Sequence, residues 1–534
     1  MTDAQPRLFR IAPFAWISLA SIVIAAGIGL RAWRIGSDPM WLDEAYSAYA
    51  AAGGWHFLWS VVPRYETHPP FYYSLLRLWT LIAGNGLLAH RMLGLICGIA
   101  TMPLAAWATW SAATLTGLPA RRAQLGALAA LTLAAAAPML IRMTREVRPY
   151  PVMILIYAIA ILALIAIARR TNEGHPLASR AYMLYLAMTG LMLWLHSLGP
   201  LYGASLGIAL LTVMIRRGMA RADWFWLIGG HLAIGLLYAP ALYILFDQAP
   251  TWIRSTWLKF GTDDLWRTVT SIHAGPGDEM RIGALVLVVA GLTTLGRSAI
   301  GRRIAAMLLI LGLLPALLSI LISATIAPVF IVRTMTPLAV PAIILMGIGT
   351  VGLIGPARWA SFAAFVWLVA QQADLSIQMR RAPPMQDWYR AIAWIQRQYR
   401  PGDVVFAYPN EGALPFDRAV RDLRLDMPSV PIPSAVPTLN PPPGSWYPTG
   451  SRGVVSLDKA HLQAIADAPR TRAIPTIWLL RLGPWAYDKG DVLLDDLSEG
   501  RTSIGSYEDG PIIIDGLRRD DLATPGMHPA DETH

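Results

Sequence analysis

The chain has 534 residues, of which 55% are hydrophobic and only 15% are charged. Soluble domains carry roughly 25% charged residues, and a single soluble core stops growing near about 250–300 residues. A mean hydropathy of +0.45 over this length therefore excludes one large soluble domain and indicates that the apolar excess faces lipid. The net charge of +10 does not indicate a nucleic-acid-binding protein, because the basic residues stand in short pairs between apolar runs rather than on one patch.

Long apolar runs recur through the first two thirds of the chain. A helix that crosses a bilayer needs about 20 mostly apolar residues. The first run is too long for the core of a signal peptide, so we interpret it as the first span. The sequence predicts about eleven transmembrane helices, over residues 11–31, 86–112, 124–141, 150–168, 181–198, 199–215, 224–245, 281–297, 304–323, 333–354 and 359–377.

Basic residues between the runs predict how the chain crosses the membrane. Cytoplasmic loops are enriched in Lys and Arg, and the basic groups all fall on one side of a single alternation: Arg7 and Arg10, Arg121-Arg122, Arg169-Arg170 with Arg180, Arg216-Arg217 with Arg221, Arg297 with Arg302-Arg303, and Arg358. We therefore predict a cytoplasmic N-terminus in the cell (inner) membrane. An odd number of spans then sends the C-terminus outward, together with a first outer loop over residues 32–85.

The composition changes after about residue 380. Residues 381–534 are rich in proline and charge, and short helical and strand patterns alternate there, which favours a small α/β domain. Helices are predicted over 387–399, 457–468 and 492–497, strands over 404–407, 476–482 and 511–514, and a proline-dense loop over 428–448. The sequence thus predicts a transmembrane module, 1–380, followed by an extracytoplasmic domain.

An acidic pair, Asp43-Glu44, stands in the first outer loop just beyond the first span. Ionisable groups near membrane depth are costly and tend to be functional, and a carboxylate near apolar surface can act as a base near neutral pH. A second interpretation remains open: acidic residues also favour the N-terminus of a helix through its dipole.

The same loop continues with Glu66-Thr-His68-Pro69-Pro70. The two prolines start a new element and fix Glu66 and His68 just before a helix. The pair could hold a divalent cation, although two residues alone favour a plain hydrogen-bonded pair. The tryptophan- and tyrosine-rich stretch around it suits a helix that lies at the membrane interface.

Some arginines depart from the cytoplasmic bias of the basic residues, because they lie at ends of spans that are predicted to face outward. The segment 144–150 contains Arg145, Glu146, Arg148 and Tyr150, and arginine forks match phosphate or carboxylate groups. The alternative is an internal ion pair of Glu146 with Arg145 or Arg148, and both interpretations could hold.

Two further candidates lie at predicted outer ends of spans. Arg333 opens the tenth run, and His196 lies near the end of the fifth, where it could line the same cavity or be structural. Arginines and carboxylates on one face indicate an anionic ligand and a base.

In this order, these segments resemble the GT-C superfamily of membrane glycosyltransferases. The most similar group is family 39, with the protein O-mannosyltransferases and the aminoarabinose transferase of lipid A. The matching positions, which lie between about residues 30 and 340, are Asp43-Glu44, Tyr46, Glu66, His68-Pro69-Pro70, Phe71-Tyr72-Tyr73, Glu146-Val-Arg148-Pro149-Tyr150 and Arg333. The family commonly has Asp where this chain has Glu66.

The resemblance implies an inverting transfer from a polyprenyl-phosphate sugar to a hydroxyl of a lipid, glycan or protein outside the cytoplasm. It implies Asp43, with Glu44 beside it, as the catalytic acidic group that takes the acceptor proton. Arg333, Arg145 or Arg148 would hold the donor phosphate and stabilise its growing charge. Tyr150, Glu146, His68 and His196 would complete the substrate site, and Glu66 with His68 is the candidate cation site.

Two other functional classes agree less well with the sequence. A transporter or flippase of lipid-linked sugars would often show paired halves with broken helices, whereas here no repeat is found and the polar residues cluster at one predicted face. A receptor or scaffold that uses the C-terminal domain gives no reason for Asp43, Glu66 and Arg333.

Overall fold

A computed structural model describes residues 13–214, 220–255, 258–263, 265–448 and 450–522. Its first part is a bundle of apolar helices, and its last part is a mixed sheet flanked by short helices. Four of the basic residues that predicted the orientation, Arg7, Arg10, Arg216 and Arg217, lie outside the described residues.

Helices account for nearly all regular structure up to residue 381. In chain order they are α1 (Pro13–Ala32), α2 (Leu42–Ala52), α3 (Gly54–His56), α4 (Phe71–Ala83), α5 (Leu87–Leu115), α6 (Ala120–Ala136), α7 (Pro138–Arg145), α8 (Tyr150–Asn172), α9 (Arg180–Leu195), α10 (Gly199–Met214), α11 (Arg221–Ser255), α12 (Leu265–His273), α13 (Asp278–Leu295), α14 (Ala299–Thr325), α15 (Ala339–Gly352) and α16 (Ala357–Arg381). A π-turn (Phe57–Val61) and a 3-10 turn (Val62–Arg64) follow α3, and a 3-10 segment (Val332–Leu338) precedes α15.

In their described parts, nine of the eleven predicted apolar runs each lie mainly on one α-helix, whereas the third lies on α6 and α7 and the tenth on the 3-10 segment and α15. By length and composition, six of the described helices could cross a membrane, or seven if α6 and α7 form one bent span. The chain is therefore a polytopic helical membrane protein, while the number of eleven crossings stays a prediction. The bend between α6 and α7 is 54° and occurs at Pro138, whose ring and missing N–H interrupt the helical ladder.

Loops predicted on the same side of the membrane meet at one end of the bundle. Arg303 donates hydrogen bonds to the Asn172 side chain (2.9 Å) and to the Val213 carbonyl (3.4 Å), which joins the ends of α8, α10 and α14. Arg297 likewise donates to the Gly352 carbonyl at 3.0 Å. The opposite end carries the first loop (residues 32–85), the 3-10 segment and the C-terminal region (residues 382–522).

The C-terminal region is built on five strands, β1 (Val404–Ala407), β2 (Ser429–Pro431), β3 (Thr476–Leu482), β4 (Arg501–Asp509) and β5 (Ile512–Arg519). Their order is β2-β1-β3-β5-β4; β1 pairs parallel with β2 and β3, whereas β5 pairs antiparallel with β3 and β4. The helices here are α17 (Trp388–Gln396), α18 (Ala413–Asp422), α19 (Lys459–Asp467), α20 (Pro469–Ala473), α21 (Pro484–Tyr487) and α22 (Val492–Ser498), with 3-10 turns at Asn410–Gly412 and Asp520–Leu522.

Five helices and strands of this region were not predicted from the sequence. Helices α18, α20 and α21 and strand β4 had no predicted counterpart, and strand β2 lies within the 428–448 stretch that was predicted to be a loop. Strand β2 is only three residues long and ends at a proline, so its pairing with β1 rather than its own sequence defines it.

The C-terminal region is docked on the first loop. Gln386 accepts a hydrogen bond from the Leu42 backbone N–H at 3.0 Å, and the Tyr49 hydroxyl donates to the Val436 carbonyl at 2.7 Å. Helix α18 packs against α2. These contacts bring the C-terminal region to the helix that carries Asp43.

Candidate active site

Asp43 lies in the first turn of α2, where acidic side chains are favoured by the helix dipole. Its carboxylate lies 3.2 Å from the Arg333 guanidinium and 3.9 Å from that of Arg148. The side chain is 27% exposed, so a ligand can reach it. Asp43 therefore begins a helix and also meets two arginines from distant parts of the chain, while its role as a base stays a prediction.

Glu44 points away from Asp43 into the protein, because successive residues of a helix are turned by about 100°. Its two oxygens accept hydrogen bonds from Arg91 (2.9 and 3.3 Å) and from the Val147 backbone N–H (3.0 Å). The Glu44 side chain is only 2% exposed. It therefore holds the segment 146–149 and is not presented to a substrate beside Asp43.

The two arginines of segment 144–150 contact different carboxylates. Arg148 is buried, donates to the Asp43 carbonyl at 3.4 Å and lies 5.9 Å from the centre of the Tyr150 ring. Arg145 instead contacts Asp38 at 3.4 Å. The structure thus brings Arg148 and Tyr150 to Asp43 but places Arg145 with another carboxylate.

Glu146 forms its ion pair with Arg142, at 3.4 Å. The predicted internal pair with Arg145 or Arg148 is therefore replaced by a pair one helical turn earlier. Burial raises the pKa of the Glu146 carboxyl to about 7, although the Arg142 guanidinium opposes this shift.

Arg333 lies in the 3-10 segment before α15. Its guanidinium stacks 5.2 Å from the Trp41 ring and remains partly exposed, at 26%. A cation over an aromatic face is stabilised by the ring quadrupole. Trp41 immediately precedes α2 and Asp43 lies in its first turn. The contact with the Trp41 ring and the ion pair with Asp43 therefore both fix Arg333 to the start of α2.

Glu66 and His68 line one cavity with Asp43, and the ring of His196 contacts that of His68. The Glu66 carboxylate accepts a hydrogen bond from the His68 backbone N–H at 3.2 Å, whereas the centres of the His68 and His196 rings lie 4.2 Å apart with the rings tilted by 44°. Burial raises the pKa of Glu66, and burial together with His196 lowers the pKa of His68 well below its usual value. The His68 ring is therefore neutral near pH 7.

His68 and Glu66 are the candidate cation ligands. The His68 Nδ1 accepts from the Ser197 backbone N–H at 3.4 Å, so that in the neutral ring Nε2 carries the hydrogen and is a donor. Among the described residues, no group of three His, Cys, Asp or Glu side chains is placed to hold a metal ion. The cation site remains a prediction that depends on a ligand from outside the protein.

A cavity of about 160 Å³ opens beside Asp43, between the first loop and the C-terminal region. Its acidic and basic side chains are those of Asp43, Glu66, His68, Arg148 and Glu411. Glu411 comes from the 3-10 turn after β1, and burial followed by the nearby Asp43 charge raises the pKa of its carboxyl to about 7.

The sequence analysis did not identify Glu411 as a site residue. A usable signal was present: ligands of α/β sheets bind beyond the carboxyl ends of parallel strands, and Glu411 follows the carboxyl end of β1, which is parallel to both of its neighbours.

A second cavity, of about 320 Å³, is lined by Trp41 and Asp38 among others. The Asp38 carboxylate pairs with Arg145 (3.4 Å), Arg380 (3.5 Å) and Arg34 (3.9 Å). Glu44 and Glu146 also line it. Four of the predicted site residues are thus divided: Asp43 and Arg148 face one cavity, whereas Arg145 and Glu146 face the other.

This helical bundle, with its loop-borne carboxylate and its docked C-terminal sheet, has a fold that is found in known structures. Two crystal structures of ArnT from Cupriavidus metallidurans share it: the apo state with a TM-score of 0.55, and the state bound to undecaprenyl phosphate with a TM-score of 0.56. In each comparison 14% of residues are identical, and the match covers 96% of this chain and 99% of ArnT. The resemblance found in the sequence is thereby confirmed for the fold. No protein-family model and no curated protein sequence matches the chain.

Proposed function

We propose that this protein is an inverting glycosyltransferase that moves a sugar from a polyprenyl-phosphate donor to a hydroxyl of an acceptor outside the cytoplasm. The observation that carries the proposal is the Asp43 carboxylate, partly exposed between Arg333 at 3.2 Å and Arg148 at 3.9 Å. It has support from the fold shared with ArnT, for which a structure with bound undecaprenyl phosphate is known.

The proposed reaction uses Asp43 as the general base. Its carboxylate takes the proton of the acceptor hydroxyl while the acceptor oxygen forms a bond to the anomeric carbon. The bond between that carbon and the phosphate oxygen breaks, and the polyprenyl phosphate leaves with the electron pair. Because attack and departure occur on opposite faces of one carbon, the configuration inverts.

Arg333 and Arg148 are the proposed phosphate ligands. Guanidinium groups that are fixed before the reaction stabilise the charge that develops on the leaving phosphate, and both groups are held by an aromatic ring as well as by Asp43. The ring of Tyr150 would hold the Arg148 guanidinium in place, and the His68 and His196 rings would lie beside the substrate.

The other predicted site residues receive different proposed roles. Glu44 is a positioning residue, because Arg91 and the Val147 N–H occupy its carboxylate. Arg145 and Glu146 line the second cavity rather than the one beside Asp43.

The donor tail requires an apolar surface near Arg333. A groove of about 420 Å³ runs between α12, α13, α14 and α15 and is lined mostly by apolar side chains, together with Thr270, His273, Asp278 and Arg281. Three of them, Trp266, Ile282 and Leu285, are more than half exposed where lipid would surround the bundle. Because α12 packs against the 3-10 segment that carries Arg333, we propose that the polyprenyl tail lies in this groove.

The proposed placement in the membrane follows from charge. Positive loops favour the cytoplasmic side, so the end that contains Arg297 and Arg303 faces the cytoplasm in this proposal. The Asp43 site and the C-terminal region then face outward from the inner membrane, where the acceptor is found.

A labelled-donor assay tests the function. Purified protein in nanodiscs is incubated with undecaprenyl phosphates that carry labelled mannose, arabinose, aminoarabinose, galacturonic acid or glucose, and with an envelope lipid and lipopolysaccharide fraction. We expect the wild type and the exposed-site control Asp263→Asn to release undecaprenyl phosphate and label the acceptor fraction. Asp43→Asn should lose at least about 100-fold of that rate.

Two results would contradict the proposal. Equal rates for Asp43→Asn and wild type would show that Asp43 is not the general base. Movement of an unmodified labelled lipid across proteoliposome membranes, without release of undecaprenyl phosphate, would instead indicate a flippase.

A further inference from the structure

We propose that Glu411 binds the acceptor, so that the C-terminal region forms one wall of the acceptor site. This inference rests on the proposed glycosyl transfer and adds to it a substrate-binding residue from the part of the chain outside the helical bundle.

Glu411 is held in place by a network of the C-terminal region. The neighbouring Asn410 is buried, and its amide donates hydrogen bonds to the Ser434 carbonyl and the Thr438 hydroxyl, both at 3.0 Å. The Tyr487 hydroxyl donates to the Glu411 carboxylate at 3.3 Å. A carboxylate fixed by its own turn and by a tyrosine is preorganised to bind a ligand rather than free to rotate away.

The wall that carries Glu411 is fixed relative to Asp43. Leu42 and Tyr49, at either end of the α2 segment that bears Asp43, form hydrogen bonds to Gln386 and Val436 of the C-terminal region. The cavity between the two parts is therefore a defined space and not a gap between independent bodies.

The charges around this cavity select the kind of group that enters it. Three carboxyl groups, Asp43, Glu66 and Glu411, line it together with one arginine, Arg148. The carboxyl groups of Glu66 and Glu411 disfavour a phosphate beside them and favour hydroxyl groups, which donate hydrogen bonds to carboxylates. The phosphate of the donor is thus better placed between Arg333 and Arg148, and the part of the cavity beside Glu411 and Glu66 is left for hydroxyls.

The size of the cavity narrows the choice further. Pockets for whole small molecules span about 300–1,000 Å³, whereas this one holds about 160 Å³. It suits one hydroxyl-bearing group of a larger acceptor. Tyr46 and Tyr65, joined by a 2.8 Å hydrogen bond, add aromatic surface of the kind that packs against a sugar ring.

Two partial reactions separate acceptor binding from donor chemistry. Release of undecaprenyl phosphate without acceptor measures transfer to water, and labelling of the lipid and lipopolysaccharide fraction measures transfer to the acceptor. At pH 8, above the pKa of about 7 of the Glu411 carboxyl, we expect Glu411→Gln to lower the ratio of acceptor transfer to hydrolysis, and to raise the acceptor concentration for half-maximal rate, by about ten- to hundredfold, the range expected for a lost charged hydrogen bond.

Three further variants serve as controls for Glu411→Gln. Glu508→Gln removes an exposed carboxylate from strand β4 of the same sheet and should behave as wild type. Tyr487→Phe, which removes the hydrogen bond to Glu411, should shift the ratio in the same direction by a smaller factor. Glu411→Asp keeps the charge and should recover part of the acceptor transfer, provided that its thermal unfolding matches wild type.

The outcomes distinguish the two proposals. If wild type transfers sugar and Glu411→Gln keeps the wild-type ratio, or raises the KM for the donor rather than the acceptor, the acceptor role of Glu411 is wrong while the glycosyltransferase remains. If wild type releases undecaprenyl phosphate from none of the donors, the proposed function is wrong and the role of Glu411 falls with it.

Discussion

The Asp43 carboxylate lies 3.2 Å from the guanidinium of Arg333, although Asp43 begins α2 in the first loop and Arg333 lies in the 3-10 segment before α15. Arg148 places a second guanidinium 3.9 Å from the same oxygen. One carboxylate between two arginines leaves positive charge unbalanced at this point. A phosphate ester bound there would complete the balance, and the first prediction tests this.

Replacing Arg333 should weaken the use of the donor. Arg333→Gln removes a charge beside the leaving phosphate, and we expect kcat/KM for the donor to fall by about 10²–10³-fold, as for the loss of one transition-state donor. Arg333→Lys should retain part of the rate, because the charge remains while the planar fork is lost. Release of undecaprenyl phosphate measures both. Arg64→Gln, at an exposed position of the same first loop, is the control; equal rates for Arg333→Gln and this control would contradict the role.

Glu44 should matter for folding more than for chemistry. The Glu44 and Arg91 side chains are 2% and 5% exposed, so Glu44→Gln leaves a buried guanidinium without its anion. Breaking a buried pair in this way costs about 3–5 kcal/mol. We expect a lower Tm in detergent for Glu44→Gln, whereas Asp43→Asn should unfold near the wild-type temperature. A Glu44→Gln protein with the wild-type Tm but no activity would restore Glu44 to the predicted catalytic role.

Helix α15 should tolerate no side chain at Gly349. A Cβ added there would meet the Leu287 carbonyl oxygen of α13, with the Gly291 nitrogen at 2.9 Å. Small residues allow membrane helices to approach this closely, and overpacking costs about 1–3 kcal/mol. Gly349→Ala should therefore lower the Tm. In Gly229→Ala of α11, whose added Cβ meets nothing within 4 Å, the Tm should stay level or rise; the same loss in both variants would point to a general helix effect.

The stability of the protein should depend on pH through Glu146. Burial raises the pKa of this carboxyl from 4.5 to about 7, against the opposing charges of Arg142, Arg333 and Arg148 and with a contribution from Glu44. The folded protein thus holds the proton more tightly than the unfolded chain. The resulting stabilisation is complete below pH 4.5 and is lost as the pH rises through about 7.

Glu146→Gln isolates this effect, because the amide stays neutral. Relative to wild type, the Tm of the variant should rise as the pH increases from 4.5 to above 7, and the two proteins should coincide at the acid end. A Tm difference that is constant over this range would show that the carboxyl does not titrate there.

Local patterns accounted for much of the fold. In their described parts, nine of the eleven apolar runs lie mainly on one α-helix each, and the predicted strands 404–407 and 476–482 have the observed bounds. In the first loop, the pair of acids before an alanine- and tyrosine-rich stretch indicated both a helix start and a reactive group. These features are set by residues within one or two turns of each other, so they can be identified without knowledge of the remaining chain.

The tertiary structure alone decided which charges meet. Asp43 and Glu44 are adjacent and chemically alike, yet the helix turns them about 100° apart, so one faces Arg333 and the other is buried on Arg91. Arg145 and Arg148 diverge in the same way, and Glu411 reaches Asp43 only because α18 docks on α2. Sequence determines the residue types and their local periodicity; the pairing of distant charges depends on how helices and sheet pack, which no short pattern contains.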